Sequence, residues 1–321
     1  MAGLLHDAFV QRAVGALPAD WPTPPGQAAR LGGRWLDEAL ERCDDELFGR
    51  RFALHCPIPG ATAADYQHRI LPGAGGAPTL LAGIRFKGGD PDLPFIELLA
   101  WDTQPASARD WRAVRTRLVD AFGVFSPRWI RLRHPGEARP ALPGALEVDQ
   151  WLLAERLQRL SRQPRPWGEL SLHTEVARDI DFYDAFATAF ARWQEGAGPA
   201  GREVFAPTRA ELQRCLEDGT IVVARHNGVW AGLAASSPMR EQHLDGYCVA
   251  EIFLDAPLRG RRQAPVLLRR LVDALPDRGR DVLHSTVHRL NIPSLKAARR
   301  LGQRVVETWW FWEVDARPPT R

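Results

Sequence analysis

The sequence predicts an α/β protein of the mixed α+β kind, in which a central mixed sheet flanked by helices is built twice in tandem. Two observations carry this. Apolar segments of period two alternate with segments of helical period along the chain. Short stretches of the first half also return, in the same order, in the second. Leu81-Ala82-Gly83 returns as Trp230-Ala231-Gly232, and Phe95-Ile96-Glu97-Leu98 as Val249-Ala250-Glu251-Ile252. Arg117-Leu-Val-Asp-Ala-Phe122 returns as Arg270-Leu-Val-Asp-Ala-Leu275. Gly144 with Val148-Asp149-Gln150-Trp151 returns as Gly302 with Val306-Glu307-Thr308-Trp309. The offsets run from 149 to 158. Residues 1–160 are therefore read as a diverged copy of residues 165–321.

Taken in order, the first stretch, MAGLLHDAFVQRAV, predicts a short amphipathic helix, and its Asp7 and missing basic start argue against a secretion signal. Residues 15–34 read as an irregular Pro/Gly/Ala arm, and a helix is expected from Arg34. FALHCPI then reads as a strand. TLLAGIRFKG and PFIELLAWD read as two strands, followed by a helix capped by Ser107 and a strand over PRWIRLRHP. The stretch from Leu146 to Leu160 reads as a strand at its start.

The second half opens with a strand over WGELSLHTEV. Two helices follow, IDFYDAFATAFARW and TRAELQRCLEDG, the second capped by Thr208 and stopped by Gly219. Asn227-Gly228 joins TIVVARHNG and VWAGLAASS as a hairpin. A strand ending in VAEIFLDAP leads to a basic turn, a helix opening at Pro265, a strand from Asp281 to His288 and a short helix ending at Gly302. The aromatic-rich QRVVETWWFWEV is the last strand.

Length and composition allow two globular domains: 321 residues, 45% hydrophobic and 25% charged. The longest apolar runs fall far short of the roughly 20 residues that span a bilayer, so no membrane span is expected. Cys43, Cys56, Cys215 and Cys248 are scattered, which predicts free thiols in a reducing cytoplasm and no metal site. The net charge of +3 gives little reason to expect nucleic acid, and DNA binding is not expected. Apart from Lys87 and Lys296 every basic residue other than histidine is arginine, a bias read as coding composition.

The turn Arg259-Gly260-Arg261-Arg262-Gln263-Ala264 is the chemical focus. A helix N-terminus presents unpaired N–H groups and partial positive charge. Pro265 suits the first turn because its missing N–H costs nothing there. Three arginines add fork-shaped donors. A strand delivering such a turn is a phosphate site; the plainer alternative is a solvated basic helix start. LDAPLRGRRQA resembles the acyl-CoA-binding segment of the GCN5-related N-acetyltransferase (GNAT) superfamily, whose turn reads Gln/Arg-x-x-Gly-x-Gly/Ala. Arg259 fits its first position and Ala264 its last, while Arg262 stands where the family has a glycine. Asn291-x-x-Ser294 before Leu301-Gly302 is similar to the family's second signature, with Ala298 in the place of its usual general-acid tyrosine. The likeness covers residues 167–314.

The resemblance implies an acyl-CoA co-substrate, acetyl-CoA or another, and a small-molecule amine as acceptor. It implies that backbone groups near Phe253 and Leu254 meet the pantetheine arm. Arg259, Gly260, Arg261, Arg262, Gln263 and Ala264 would meet the pyrophosphate, and Asn291 and Ser294 the far side of the arm. The alternative for Asn291 is a turn-former before a helix. Acyl transfer needs the thioester held and a proton taken from the amine. Glu251 is the candidate base, with a plain ion pair as its alternative; Tyr247 is a candidate acid and His288 a candidate base or substrate contact. The first copy has Ser107-Ala108-Arg109-Asp110 in place of the arginine turn and no Asn in Pro135–Pro143, so it is expected to be silent. Two other readings stay open: an aminoacyltransferase of related tandem fold using charged tRNA, and an inactive binding module.

Overall fold

The computed structural model describes residues 2–168 and 172–314. It divides into two compact units, Met1–Asp149 with Glu307–Arg321, and Gln150–Val306. Among the described residues, no helix is long and apolar enough to cross a membrane.

The first unit opens with helices α1 (Ala2–Gly15), α2 (Pro25–Glu41) and α3 (Glu46–His55). Two expectations fail here. Helix α2 starts nine residues before Arg34, with Pro25 at its first position, where proline suits a helix. It buries Ala28, Leu31, Leu36 and Ala39 along one face, and Gly32-Gly33 disguised that stripe. FALHCPI is not a strand but largely the end of α3. Asp45 caps that helix by accepting from the Phe48 N–H at 3.0 Å, and Phe52 meets Tyr66 and Phe86 edge-on. A Cβ at Gly49 would stand 2.2 Å from the Ala63 carbonyl, so the close approach of the following loop requires glycine.

Strands β1 (Arg69–Leu71), β2 (Leu80–Phe86) and β3 (Pro94–Trp101) pair antiparallel in turn. Helix α4 (Ala108–Ala121) crosses to β4 (Trp129–Pro135), which lies parallel to β3. Ser107 and Asp110 form a reciprocal capping box at the start of α4. The core gathers Tyr66, Leu80, Ile84, Ile96, Leu118 and Ile130 with Trp310 and Trp312.

Strand β5 (Leu146–Arg156) and helix α5 (Leu157–Arg162) follow. Next come β6 (His173–Val176), α6 (Tyr183–Gly196), α7 (Pro199–Glu203) and α8 (Arg209–Glu217). The expected strand WGELSLHTEV is β6 only from His173; residues 169–171 lie outside the described residues. Strands β7 (Ile221–His226) and β8 (Val229–Glu241) form the hairpin, with Asn227 at φ 52° and Gly228 at φ 78° as its turn requires. Strand β9 (Leu244–Leu254), helix α9 (Gln263–Ala274), strand β10 (Val282–His288), helix α10 (Ile292–Leu301) and strand β11 (Arg304–Glu313) complete the chain's elements.

In the second unit β6, β7, β8 and β9 pair antiparallel, β9 and β10 are parallel, and β10 pairs antiparallel with Gln150–Arg156 of β5. In the first unit Glu307–Glu313 of β11 pairs antiparallel with β4. The order of pairings is thus the same in both units, with β6 as an added edge. The units are not the sequence halves 1–160 and 165–321, because each takes its closing strand from the other half.

Candidate active site

Parallel strands β9 and β10 pair only at Tyr247 with Leu283 and Cys248 with His284. Ala250 is then an extra residue on β9: Val249 faces Ser236 and Glu251 faces Ala235, with the register shifting between them. Such a bulge bends a strand and re-aims its side chains. Beyond it the two strands part, and two cavities open beside this end of β9. The larger, about 510 Å³, runs from Ile252–Leu254 past the Arg259–Pro265 turn to Asn291–Ser294. The smaller, about 260 Å³, is lined by Val249 and Ala250 of β9 and Ser285–His288 of β10. Glu251, Ile252, Val204, Asn291 and Ser294 line both.

Glu251 stands where the two meet. It is half-buried at its own surface yet ringed by protein, and that enclosure pushes its carboxyl up to about 7 against the 4.5 of a solvated glutamate. Only the Ile252 N–H, donating to Oε1 at 2.8 Å, pulls the other way. Among the described residues it has no ion pair.

Its counterpart in the first unit has the opposite surroundings. Glu97 is buried against Arg131 (2.8 Å) and Arg85 (3.2 Å). Burial alone would raise it, but Arg131, Arg85 and Arg133 hold its carboxyl down to about 2. Arg131 also meets Asp149 at 3.2 Å and lies between the rings of Phe95 and Trp309, 4.8 Å from each. There β3 and β4 stay paired as far as Glu97 with Arg131. Between β3 and β4 this ion pair fills the place that matches the gap beside Glu251.

At the turn, Asp255 caps a short 3-10 turn over Ala256–Leu258. The Arg259 Nε donates to the Leu254 carbonyl at 2.7 Å, and its guanidinium lies 4.7 Å over Phe253. Gly260 is at φ 76° and Arg262 at φ 58°, the left-handed region where glycine is at ease and arginine is strained. The Arg262 guanidinium lies 4.8 Å over the Trp167 ring. Helix α9 starts at Gln263, two residues before the expected Pro265, and no side chain caps it. Helix α4 differs: the Asp110 carboxylate already occupies its N-terminus.

Of the residues singled out from sequence, Phe253, Leu254, Arg259, Gly260, Arg262, Gln263, Ala264, Asn291 and Ser294 all line the larger cavity. Arg261 does not; it is exposed on the turn. Asn291 caps α10, accepting from the Ser294 N–H at 3.3 Å, so the turn-forming role is real alongside its place in the cavity wall. His288 lines the smaller cavity. Tyr247 lines neither: it is wholly buried against Leu160, Leu268 and Leu283, and its hydroxyl donates to the Pro276 carbonyl at 2.7 Å. This removes it as an acid. Sequence reasoning missed Lys296 and Arg300, which put two further cations on the larger cavity, and Glu203, which lines the smaller one. Ile292, Lys296 and Arg300 recur every four residues on α10, so that face was there to be read.

These residues can do three things. The uncapped α9 start, Lys296 and Arg300 can hold a polyanion. The unpaired stretch of β9 can hold an extended chain. Glu251 can take a proton at the junction. The wall of the larger cavity thus joins cations and an uncapped helix start to an apolar strand segment.

The sequence model of the acetyltransferase (GNAT) family matches residues 181–303. None of the curated proteins matches the sequence. Solved structures similar to the chain include a GCN5-related N-acetyltransferase from Sphaerobacter thermophilus. It is 16% identical over 74% of this chain and 77% of that one, with a TM-score of 0.45. Another is a GNAT-family acetyltransferase from Colwellia psychrerythraea, 12% identical over 84% of this chain and 96% of that one, with a TM-score of 0.48. A third is a tandem GNAT protein from the clavulanic acid biosynthesis pathway. It is 12% identical over 98% of this chain and 95% of that one, with a TM-score of 0.44.

Proposed function

We propose, from the premise that residues 181–303 form a domain of the GNAT acetyltransferase family, that this chain is an acyl-CoA-dependent N-acyltransferase. Its Gln150–Val306 unit would hold the reaction and pass an acyl group, acetyl first of all, to the amine of a small molecule. The observation that carries the reading is Glu251, lifted to about 7 at the junction of two cavities where β9 parts from β10.

Acyl-CoA supplies the activated acyl group: a C–N bond to the acceptor replaces the C–S bond, and the CoA sulfur leaves. Residues Phe253 and Leu254 would hold the pantetheine arm, and the turn from Arg259 to Ala264, with Lys296 and Arg300, the phosphates. Asn291 and Ser294 would flank the arm. Glu251 takes the proton that the attacking nitrogen loses, and a carboxyl near 7 is matched to that task. No tyrosine lines either cavity among the described residues. A thiol with a pKa of about 8.5 leaves readily enough as the thiolate to do without one.

The inactive-module alternative rests on Arg262, whose side chain stands at the family's glycine position. One pair of measurements separates the two. Calorimetric titration with acetyl-CoA is expected to give one site per chain, and thiol release in the presence of amines is expected to follow. Glu251→Gln should keep the calorimetric site and lower turnover by roughly a hundred- to ten-thousandfold. Binding without thiol release for any amine would favour the module; absence of binding at millimolar acetyl-CoA would sink both.

A further inference from the structure

The smaller cavity has a charge pattern that the proposed reaction does not require. Its ionisable wall groups are Glu251, Glu203 and His288, and no lysine or arginine lines it among the described residues. That is notable in a chain with 42 lysines and arginines, four of which line the neighbouring cavity. Glu203 ends α7 with its side chain about one-third exposed, and Phe205 beside it also lines the wall. The Leu290 N–H donates to His288 Nδ1 at 3.4 Å. This assigns the ring proton to Nε2, which lies 3.9 Å from Glu203 Oε2. His288 therefore faces Glu203 across the wall at ion-pair rather than hydrogen-bond distance. The volume, about 260 Å³, lies just below the ~300–1,000 Å³ of small-molecule pockets, so the occupant is small.

We infer that the acceptor is a small diamine, whose second, cationic nitrogen is held by Glu203 while its first is acylated beside Glu251. This rests on the acyltransferase reading and specifies its substrate. An acceptor bearing a carboxylate meets a wall with two carboxyl groups and no lysine or arginine, a poorly paired buried charge that the site disfavours. An acceptor with a single amine meets Glu251 and gains nothing from Glu203. In the transfer itself the first nitrogen forms the new C–N bond, its lost proton goes to Glu251, and the C–S electron pair leaves with the CoA sulfur. The second nitrogen stays protonated throughout.

The test compares diaminobutane, butylamine and aminobutanoate, three four-carbon chains with a terminal amine, as acceptors for the full chain with acetyl-CoA, read as thiol release. The expected order of kcat/KM is diaminobutane, then butylamine, then aminobutanoate. The first step should be roughly ten- to a hundredfold, the size of one charge-assisted hydrogen bond, and carried mainly by KM. Glu203→Gln should bring the ratio of diaminobutane to butylamine close to one while acetyl-CoA affinity by calorimetry stays the same. Aminobutanoate as the best acceptor overturns the inference, as does a ratio that Glu203→Gln leaves unchanged. Turnover of none of the three, with acetyl-CoA still bound, overturns it as well. Loss of acetyl-CoA binding in the wild-type chain instead overturns the acyltransferase reading on which it stands.

Discussion

Glu97 and Glu251 stand at matched places in the repeat, and their surroundings drive their carboxyls in opposite directions, to about 2 and about 7. Stability should therefore respond to pH with opposite signs at the two sites. Glu251 has a folded pKa above the 4.5 of the unfolded chain, so between about 4.5 and 7 the folded state holds the extra proton. Its contribution is most favourable below 4.5 and is lost as pH rises through 7. Glu97 has a depressed pKa, so its contribution is fully present above 4.5 and is lost only as pH falls toward 2. Urea unfolding at pH 5 and pH 8 separates them. The wild-type chain should lose stability relative to Glu251→Gln between the two pH values. Glu97→Gln should stay less stable than wild type by a constant margin, about 3–5 kcal/mol for breaking a buried ion network. A Glu251→Gln difference that does not change between pH 5 and 8 would show that the carboxyl is not enclosed as described.

At the scale of elements, the turn before α9 sets two demands against each other at Arg262. Its backbone sits at φ 58°, which costs a residue with a Cβ roughly 1–2 kcal/mol, and its side chain supplies a charged fork beside Trp167. Arg262→Ala keeps the strain and loses the fork, so acetyl-CoA affinity should fall roughly ten- to a hundredfold. Arg262→Gly should raise stability by about 1 kcal/mol and recover part of the affinity, because the backbone can approach the phosphates. Tighter binding by Arg262→Ala would mark the arginine as an obstruction. This turn, Glu251 and Asn291 were legible because short-range chemistry makes them: a strand end, a glycine, a helix start. The capped helices α4 and α8 and the Asn227-Gly228 hairpin were legible for the same reason. Helix α3 was not, because its Phe48 and Phe52 matter through Tyr66, His68 and Phe86, which only the fold brings near. Tyr247 was misplaced by a sharper cause. Strict alternation puts it on the same strand face as Glu251, but the extra residue at Ala250 breaks the period between them. Glu203 ends the five-residue helix α7, whose direction no local pattern fixes.

At the scale of the whole molecule, β5 and β11 are the same strand of the repeat, yet each closes the unit made mainly by the other half. Side-chain volume explains why neither serves its own half. Matching Trp151 to Trp309 sets Leu152 against Trp310 and Ala154 against Trp312. Trp312 is wholly buried in the core of the first unit, packed edge-on against Trp111. Ala154 is equally buried opposite His284 in the second. Strand β5 folded in place of β11 would leave a cavity where an indole belongs; losing one buried tryptophan costs about 3–5 kcal/mol. Strand β11 in place of β5 would force an indole into the space of a methyl group. Against a total stability of about 5–15 kcal/mol, neither substitution is tolerable. Residues 1–160 and 165–321, expressed separately, should therefore fail to give soluble monomers, each exposing an unpaired edge along β4 or β10. Expressed together, they should form a one-to-one complex that binds acetyl-CoA as the intact chain does. Size-exclusion chromatography with light scattering and calorimetry reads both. A monomeric 1–160 that unfolds cooperatively on its own would mean that β5 can fill the place of β11, and that the exchange is not fixed by the volumes of Ala154 and Trp312.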